Sequence, residues 1–226
     1  MAIEQKENDI FHKLEHDELY LEDFDAYLND PGKHQDFFRI LPGKNEMIKL
    51  LVLDYLLRSP KPGLEKFLVE WLNQEKNDKV IARLLIVIGE LRHEEFLEQL
   101  LPFLKSSDRR VRANAVEGIG KIESEKIKEH LLPLLEDGDN RVRANAAMAL
   151  WAYPKMREQV RGIFMSMLSN KDKWMQASAL YAFGELGIND FLDYLFNYLM
   201  NEDEDICRNA LIALLGFAEK ALSGRE

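Results

Sequence analysis

The chain is 226 residues long, 46% hydrophobic and 31% charged, with seven Pro and one Cys, a composition that fits a folded helical protein of one or two domains. A net charge of −10 and a pI near 5.1 disfavour nucleic acid as the main partner, because phosphate neutralisation dominates that kind of binding. Cys207 alone makes neither an internal disulfide nor a metal cluster, and the charged start and the lack of a membrane-spanning apolar stretch point to a cytoplasmic protein with no membrane partner.

The first 44 residues carry eleven Asp/Glu against five Lys/Arg, which is −6 of the −10, and read as a distinct acidic N-terminal helical cap. Two or three short helices are expected there, over residues 4–14, 17–28 and about 33–41. Phe11, Leu14, Leu19, Phe24, Tyr27, Phe37, Phe38 and Ile40 are available to dock the cap on the first repeat.

Residues 45–226 are built on a repeated phrase. It reads Asn77-Asp78-Lys79-Val80, Asp108-Arg109-Arg110-Val111, Asp139-Asn140-Arg141-Val142, Asp172-Lys173-Trp174-Met175 and Asp203-Glu204-Asp205-Ile206, with first residues stepping by 31, 31, 33 and 31. A fixed period of that size is the mark of a helical solenoid. Each opening Asp or Asn is placed to cap a helix, accepting backbone N–H groups at the positive end of its dipole. In the copy after Asp108, Val111, Ala115, Ile119 and Ile122 fall on one helical face. A partner helix follows each copy, over residues 94–105, 125–136, 156–170 and 190–201, with a further one over 64–73 and a degenerate copy over 45–57. Pro102 and Pro133, again 31 apart, put a kink or a helix start into the repeat. The final helix is expected over 206–221.

The pattern Asp-x-x-Val-Arg-x-x-Ala-x-x-x-Leu-Gly-x-Leu resembles the HEAT-repeat family, particularly its short bacterial, bilin-lyase-like form. It is clearest over residues 108–122 and 139–150, and the weaker copies extend it over about 45–220. The resemblance implies an all-α fold, a HEAT-type α-solenoid in which about six antiparallel helix pairs stack into a right-handed superhelix. It also implies that Arg112 and Arg143 pair with an Asp of an adjacent repeat. Asn114, Asn145 and Asn209 stand where the family usually has Ala, and Trp151 where it usually has Gly. With Ser178, the three amides form a polar column at one equivalent position, expected to bridge neighbouring helices and fix their register. Asp108, Asp139, Asp172 and Asp203, with Arg112, Asn114, Arg143, Asn145 and Asn209, are therefore read as the caps and ladder of the scaffold.

On a helical wheel, the positions opposite the core are those of Ala113, Glu117 and Gly120 and their equivalents in the other copies. They hold Ala82, Ile86 and Gly89; Ala144, Met148 and Trp151; Ala177, Tyr181 and Gly184; then Arg208, Ile212 and Leu215. The family resemblance puts this face on the concave side. An apolar and aromatic stripe where water is expected marks a partner groove. The candidate partner-binding residues are Ile86, Glu117, Met148, Trp151, Trp174, Tyr181, Glu185, Ile212 and Leu215. The same stripe also reads as additional core brought together by curvature or covered by the N-terminal helices, and both readings stay open at this stage.

No catalytic residue, cofactor or metal is expected. HEAT-fold deoxyhypusine hydroxylases bind iron through several His-Glu pairs, whereas here His93-Glu94 is the one such pair, and His12, His16, His34 and His130 precede other residues. HEAT-like alkylpurine DNA glycosylases need a basic track. Arg109, Arg110, Arg112, Arg141 and Arg143 supply a cluster, which the acidic balance opposes. A bilin-lyase-like role rests on fold analogy alone. The reading favoured is a non-enzymatic scaffold or adaptor that holds a helix or extended peptide of another protein, with the nucleic-acid and bilin-lyase-like roles as alternatives.

Overall fold

The computed structural model describes Leu28 and residues 37–61, 63–122 and 124–223. The described residues are helices, 3-10 turns and short connections, with no strand among them. No described helix is long and apolar enough to cross a membrane. The chain divides into two compact units, Met1–Leu91 and Arg92–Glu226.

In the first unit, a helical stretch over residues 37–40 leads through a 3-10 turn, Leu41–Gly43, into α1 (Glu46–Arg58), α2 (Glu65–Gln74) and α3 (Asp78–Glu90). Most of the expected acidic cap lies outside the described residues. Of its docking set, Phe37 and Phe38 are fully buried, and the Phe38 ring lies 4.9 Å from Phe67 of α2. Asn45 caps α1 through the Ile48 amide at 3.0 Å, and Asn77 caps α3 through Lys79 and Val80 at 2.9 and 3.4 Å. Glu46 ties the start of α1 to the start of α3, accepting from the Asn77 side chain and pairing with Lys79, both at 2.7 Å. Glu75 accepts from Lys49, the Trp71 indole and the backbone amides of Lys76 and Asn77. Burial pushes its carboxyl up, and those four donors more than reverse the shift, leaving it below the ordinary carboxylate range.

The second unit alternates two kinds of helix. The capped helices are α5 (Arg109–Gly120), α7 (Asn140–Trp151), α9 (Lys173–Leu186) and α11 (Glu204–Ser223). Between them lie the partner elements, which include α4 (Leu97–Leu100), α6 (Ile127–Leu131), α8 (Arg157–Leu168) and α10 (Leu192–Tyr198). Each capped helix packs on the next, and α8 packs against α7 and α9, so two layers enclose one core. That core holds Val111, Ala115, Ile119, Val142, Ala146, Leu150, Phe164, Phe183 and Phe191, all fully buried.

The expected single helices over 94–105 and 125–136 are each broken. Short α-segments give way to 3-10 turns, Leu101–Lys105 and Leu132–Glu136, with Pro102 and Pro133 in the opening positions of those turns. A proline lacks the N–H that would continue the α pattern and clashes with the preceding turn. The equivalent partner element α8, without proline, runs unbroken for 12 residues.

The caps are regular through the second unit. Asp108 accepts from Arg110 and Val111 (2.7 and 3.2 Å), Asp139 from Arg141 and Val142 (3.0 and 3.2 Å), Asp172 from Trp174 (2.9 Å), and Asp203 from Asp205 and Ile206 (2.9 and 3.3 Å). A second layer, not foreseen from the sequence, supports these caps and that of Asn77. The side chain two residues earlier accepts the cap residue's own amide: Glu75 for Asn77, Ser106 for Asp108, Asp137 for Asp139, Asn170 for Asp172 and Asn201 for Asp203, at 2.8 to 3.2 Å. These are side-chain turns that set the chain's direction into α3, α5, α7, α9 and α11.

The residue four after the cap closes the loop from the other side. Arg112, Arg143 and Gln176 each donate to the backbone carbonyl six residues earlier, at 2.7 to 3.1 Å, satisfying oxygens that the turn leaves unpaired. Arg112 also makes a two-pronged pair with Asp137 of the next repeat, both bonds at 3.1 Å, as the resemblance implied. Arg143 departs from that expectation: its guanidinium hydrogen-bonds the Asp137 carbonyl, and the residue in the next repeat equivalent to Asp137 is the uncharged Asn170.

Candidate functional site

The capped helices of the second unit carry a groove of about 300 Å³ lined by Glu117, Asn140, Arg141, Ala144, Asn145, Trp174, Ala177, Ser178, Tyr181 and Asn209. Ala144 and Ala177 are buried at its floor. Trp174 and Tyr181 stand in it 54% and 52% exposed, far more than aromatic rings of a packed core. Trp174 is held at the start of α9 by its own amide, which donates to Asp172, and by its carbonyl, which accepts from Asn140 at 3.2 Å.

The polar lining is cross-linked. Asn140 donates to the Ser178 hydroxyl at 2.7 Å, joining α7 to α9. Asn145, buried, donates to the Ala113 carbonyl at 3.0 Å, joining α7 to α5. Arg141 reaches Asn114 at 3.3 Å across the same pair of helices. Asn209 instead turns back to the Asp205 carbonyl of its own helix at 2.7 Å. The polar column therefore bridges neighbours at three of its four positions. Burial raises the Tyr181 hydroxyl pKa, the Glu185 and Glu117 carboxylates raise it further, and Arg141 opposes them, so the phenol is a neutral donor. Glu117 lies 3.8 Å from Lys121, and Glu185 pairs with Lys220 at 2.8 Å, linking α9 to α11.

Several expected stripe residues lie elsewhere. Trp151 is 8% exposed and packs with Phe164 and Phe191, ring centroids 6.4 and 5.1 Å away, under the guanidinium groups of Arg157 and Arg161. It is core, as the second reading of the stripe had it. Ala82, Ala113, Ala144 and Ala177 are buried as well. The reason lies in the solenoid itself: a capped helix meets the next capped helix on the face that a simple wheel assigns to water. A Cβ on Gly120 would come 2.7 Å from the Ala149 Cβ, and one on Gly184 would come 2.6 Å from the Ala213 carbonyl oxygen. Met148 is half-buried, and so is Ile86, which belongs to the first unit. Ile212 and Leu215 are exposed on α11, outside the groove. Conversely, Asn140, Arg141 and Ser178 line the groove and were not singled out as partner-binding residues. Asn140 and Arg141 sit one and two places after a cap, where the repeat needs no particular residue.

The arginine cluster is engaged by the scaffold. Arg110 pairs with Asp108 at 3.0 Å, Arg112 with Asp137, and Arg109, largely exposed, approaches Asp139 at 3.9 Å. His93 stacks flat on Phe96 beside Glu95. Among the described residues no group of three or more His, Cys, Asp or Glu is placed to hold a metal.

The family model for HEAT repeats matches residues 65–151 and 128–216. Among curated proteins none matches the chain. Among solved structures, the crystal structure of an engineered protein is similar over 88% of this chain and 96% of its own, at 19% identity and a TM-score of 0.45. With matches spanning most of its length, and capped helices recurring at the 31 to 33-residue step, the chain belongs to the HEAT-repeat family.

Proposed function

We propose that the protein is a non-enzymatic scaffold whose second unit holds an extended segment of another protein in the groove between α5, α7 and α9. One observation carries this reading: Trp174 and Tyr181 present half-exposed rings above a floor of alanines, on helices whose mutual register is locked by the Asn145 and Asn140 hydrogen bonds. Exposed aromatics held rigidly next to polar groups are the composition of binding hot spots, since little side-chain freedom is lost on association. The Tyr181 phenol, Arg141 and Glu117 supply a donor, a cation and an anion for the polar groups of a peptide main chain and its side chains. At about 300 Å³ the groove is at the lower end of the range for ligand sites. Against a nucleic-acid role stand Glu117 in the groove and the pairing of Arg110 and Arg112 with aspartates.

The test is selection of peptides from a displayed random library on the full chain, followed by titration of the winners while tryptophan emission is recorded. Trp71 and Trp151 are buried, so an emission shift on binding reports Trp174. Peptides that bind the wild type and lose affinity at least tenfold with Trp174→Ala/Tyr181→Ala, at unchanged helicity, support the groove. Peptides that bind both proteins equally, or leave the emission unmoved, place the interaction elsewhere.

A further inference from the structure

Two places after the cap, the successive capped helices carry Lys79, Arg110, Arg141, Trp174 and Asp205. Three of the four charged residues in that series are neutralised by the scaffold: Lys79 pairs with Glu46 at 2.7 Å, Arg110 with its own cap Asp108 at 3.0 Å, and Asp205 with Lys173 at 2.6 Å. Arg141 is the exception. Its own cap, Asp139, is approached by Arg109 at 3.9 Å, while the exposed Arg141 guanidinium reaches across to α5 and donates to the neutral Asn114 at 3.3 Å. No carboxylate among the described residues pairs with it. The residue nevertheless lines the groove, and the Asn140 bond to the Trp174 carbonyl holds its helix start next to that of Trp174.

The surrounding charges leave Arg141 as the excess of the groove. Glu117, the single carboxylate among the lining residues, has Lys121 within 3.8 Å, and Glu185 pairs with Lys220 at 2.8 Å. Hydrogen bonding points the same way. Ser178 accepts from Asn140 at 2.7 Å, and its own hydroxyl hydrogen meets no acceptor among the described residues; neither does that of Tyr181. A guanidinium presents its N–H groups in a planar fork that matches a carboxylate with two bonds at once. The net charge of −10 acts against an acidic ligand only at long range, where physiological salt screens it beyond about 8 Å, whereas a contact pair in a groove is screened much less. One cation with Glu117 nearby suits a single acid and not a run of phosphates.

We propose that the segment held in the groove presents an Asp or Glu side chain to Arg141, next to an apolar residue that packs on Trp174. This rests on the reading of the groove as a peptide site and adds the charge of its occupant. Arg141 is then the residue that sets the preference among peptides, while Trp174 and Tyr181 supply contacts common to all of them.

The experiment takes peptides selected on the full chain from a displayed random library, resynthesised with amidated C-termini so that side chains supply every carboxylate. They are titrated at about 0.15 M salt, where long-range repulsion is screened, while Trp174 emission is followed. The expected winners are enriched in Asp or Glu. Changing that acid to its amide, or Arg141→Gln in the protein, should each weaken binding by roughly tenfold, and the two together by little more than either alone. Arg141→Glu is expected to turn the selection toward Lys and Arg, at unchanged helicity because the side chain is exposed. Winners without an excess of acid, losses that simply add, or a selection that does not reverse overturn the proposal. Tighter binding of a single-stranded oligonucleotide at Trp174 overturns it as well. If those results fail while binding still needs Trp174 and Tyr181, the peptide groove stands without its acid preference; if no peptide binds, or binding ignores both rings, the two readings fall together.

Discussion

Asp137 joins two repeats through an ion pair and a side-chain turn at once, and its removal separates the two contributions. Its carboxylate takes both prongs of Arg112 and the Asp139 amide at 2.8 Å, with the two side chains only 12% and 20% exposed. A charge-assisted pair so shielded contributes roughly 1.5–3 kcal/mol, and the lost acceptor for a backbone amide about 1 kcal/mol more. Asp137→Ala is therefore expected to cost about 3 kcal/mol, a fall in Tm of roughly 10 °C. Asp137→Asn should lose only the ionic part, about 1.5 kcal/mol, because an asparagine already makes the same turn at Asn170 and Asn201, both at 2.9 Å. Urea melts of the two variants, with Arg112→Gln added to each, give the coupling energy directly. Equal damage from Ala and Asn would show that the side-chain turn contributes nothing. A coupling near zero would show that the pair behaves like an ordinary surface ion pair.

Three further outcomes are expected. Gly184→Ala drives a Cβ onto the Ala213 backbone and should destabilise by about 1–3 kcal/mol, whereas Gly216→Ala, where an added Cβ meets nothing within 4 Å, should stabilise α11 by about 0.5–1 kcal/mol; thermal melts of both decide it. Trp151→Ala should cost about 3–5 kcal/mol through the cavity beside Phe164 and Phe191, while Trp174→Ala should leave the urea midpoint nearly unmoved. Acid should loosen the second unit. Arg110 holds the Asp108 carboxyl down to about 2, and at Asp137 the Arg112 bonds outweigh a burial effect that pushes upward. A depressed folded pKa makes its contribution to stability fully present above the unfolded value near 4 and lost as pH falls toward 2. Urea midpoints measured across that window should drop, with a shallower slope in Asp137→Asn.

The architecture of the second unit was written in the chain at the level of local chemistry. A cap needs only a carboxylate or amide and the two or three amides after it, so Asp108, Asp139, Asp172 and Asp203 announce their helices from sequence spacing. The supporting turn at Glu75, Ser106, Asp137, Asn170 and Asn201 has the same 31 to 33-residue step. It leaves no single-residue signature, because several different side chains share one role there, acceptor of an amide two residues on. Pro102 and Pro133 likewise signalled a break whose 3-10 form follows from the missing N–H.

What packs against what was settled in three dimensions. A helical wheel assumes one buried face, whereas a capped helix in this solenoid is covered by its partner layer and by the capped helices before and after it. Trp151 is therefore core and not a groove residue, and Gly120 and Gly184, open on the wheel, are positions where an added Cβ would meet the next capped helix. The groove depends on Asn140, Arg141 and Ser178, which lie up to 38 residues apart in sequence and meet only because α7 and α9 pack side by side. Helix starts, stops and repeats were legible along the chain because they rest on hydrogen bonds spanning a few residues. Which helix face meets a neighbour and which meets water rests on the angle at which successive repeats stack, a property that no single segment carries.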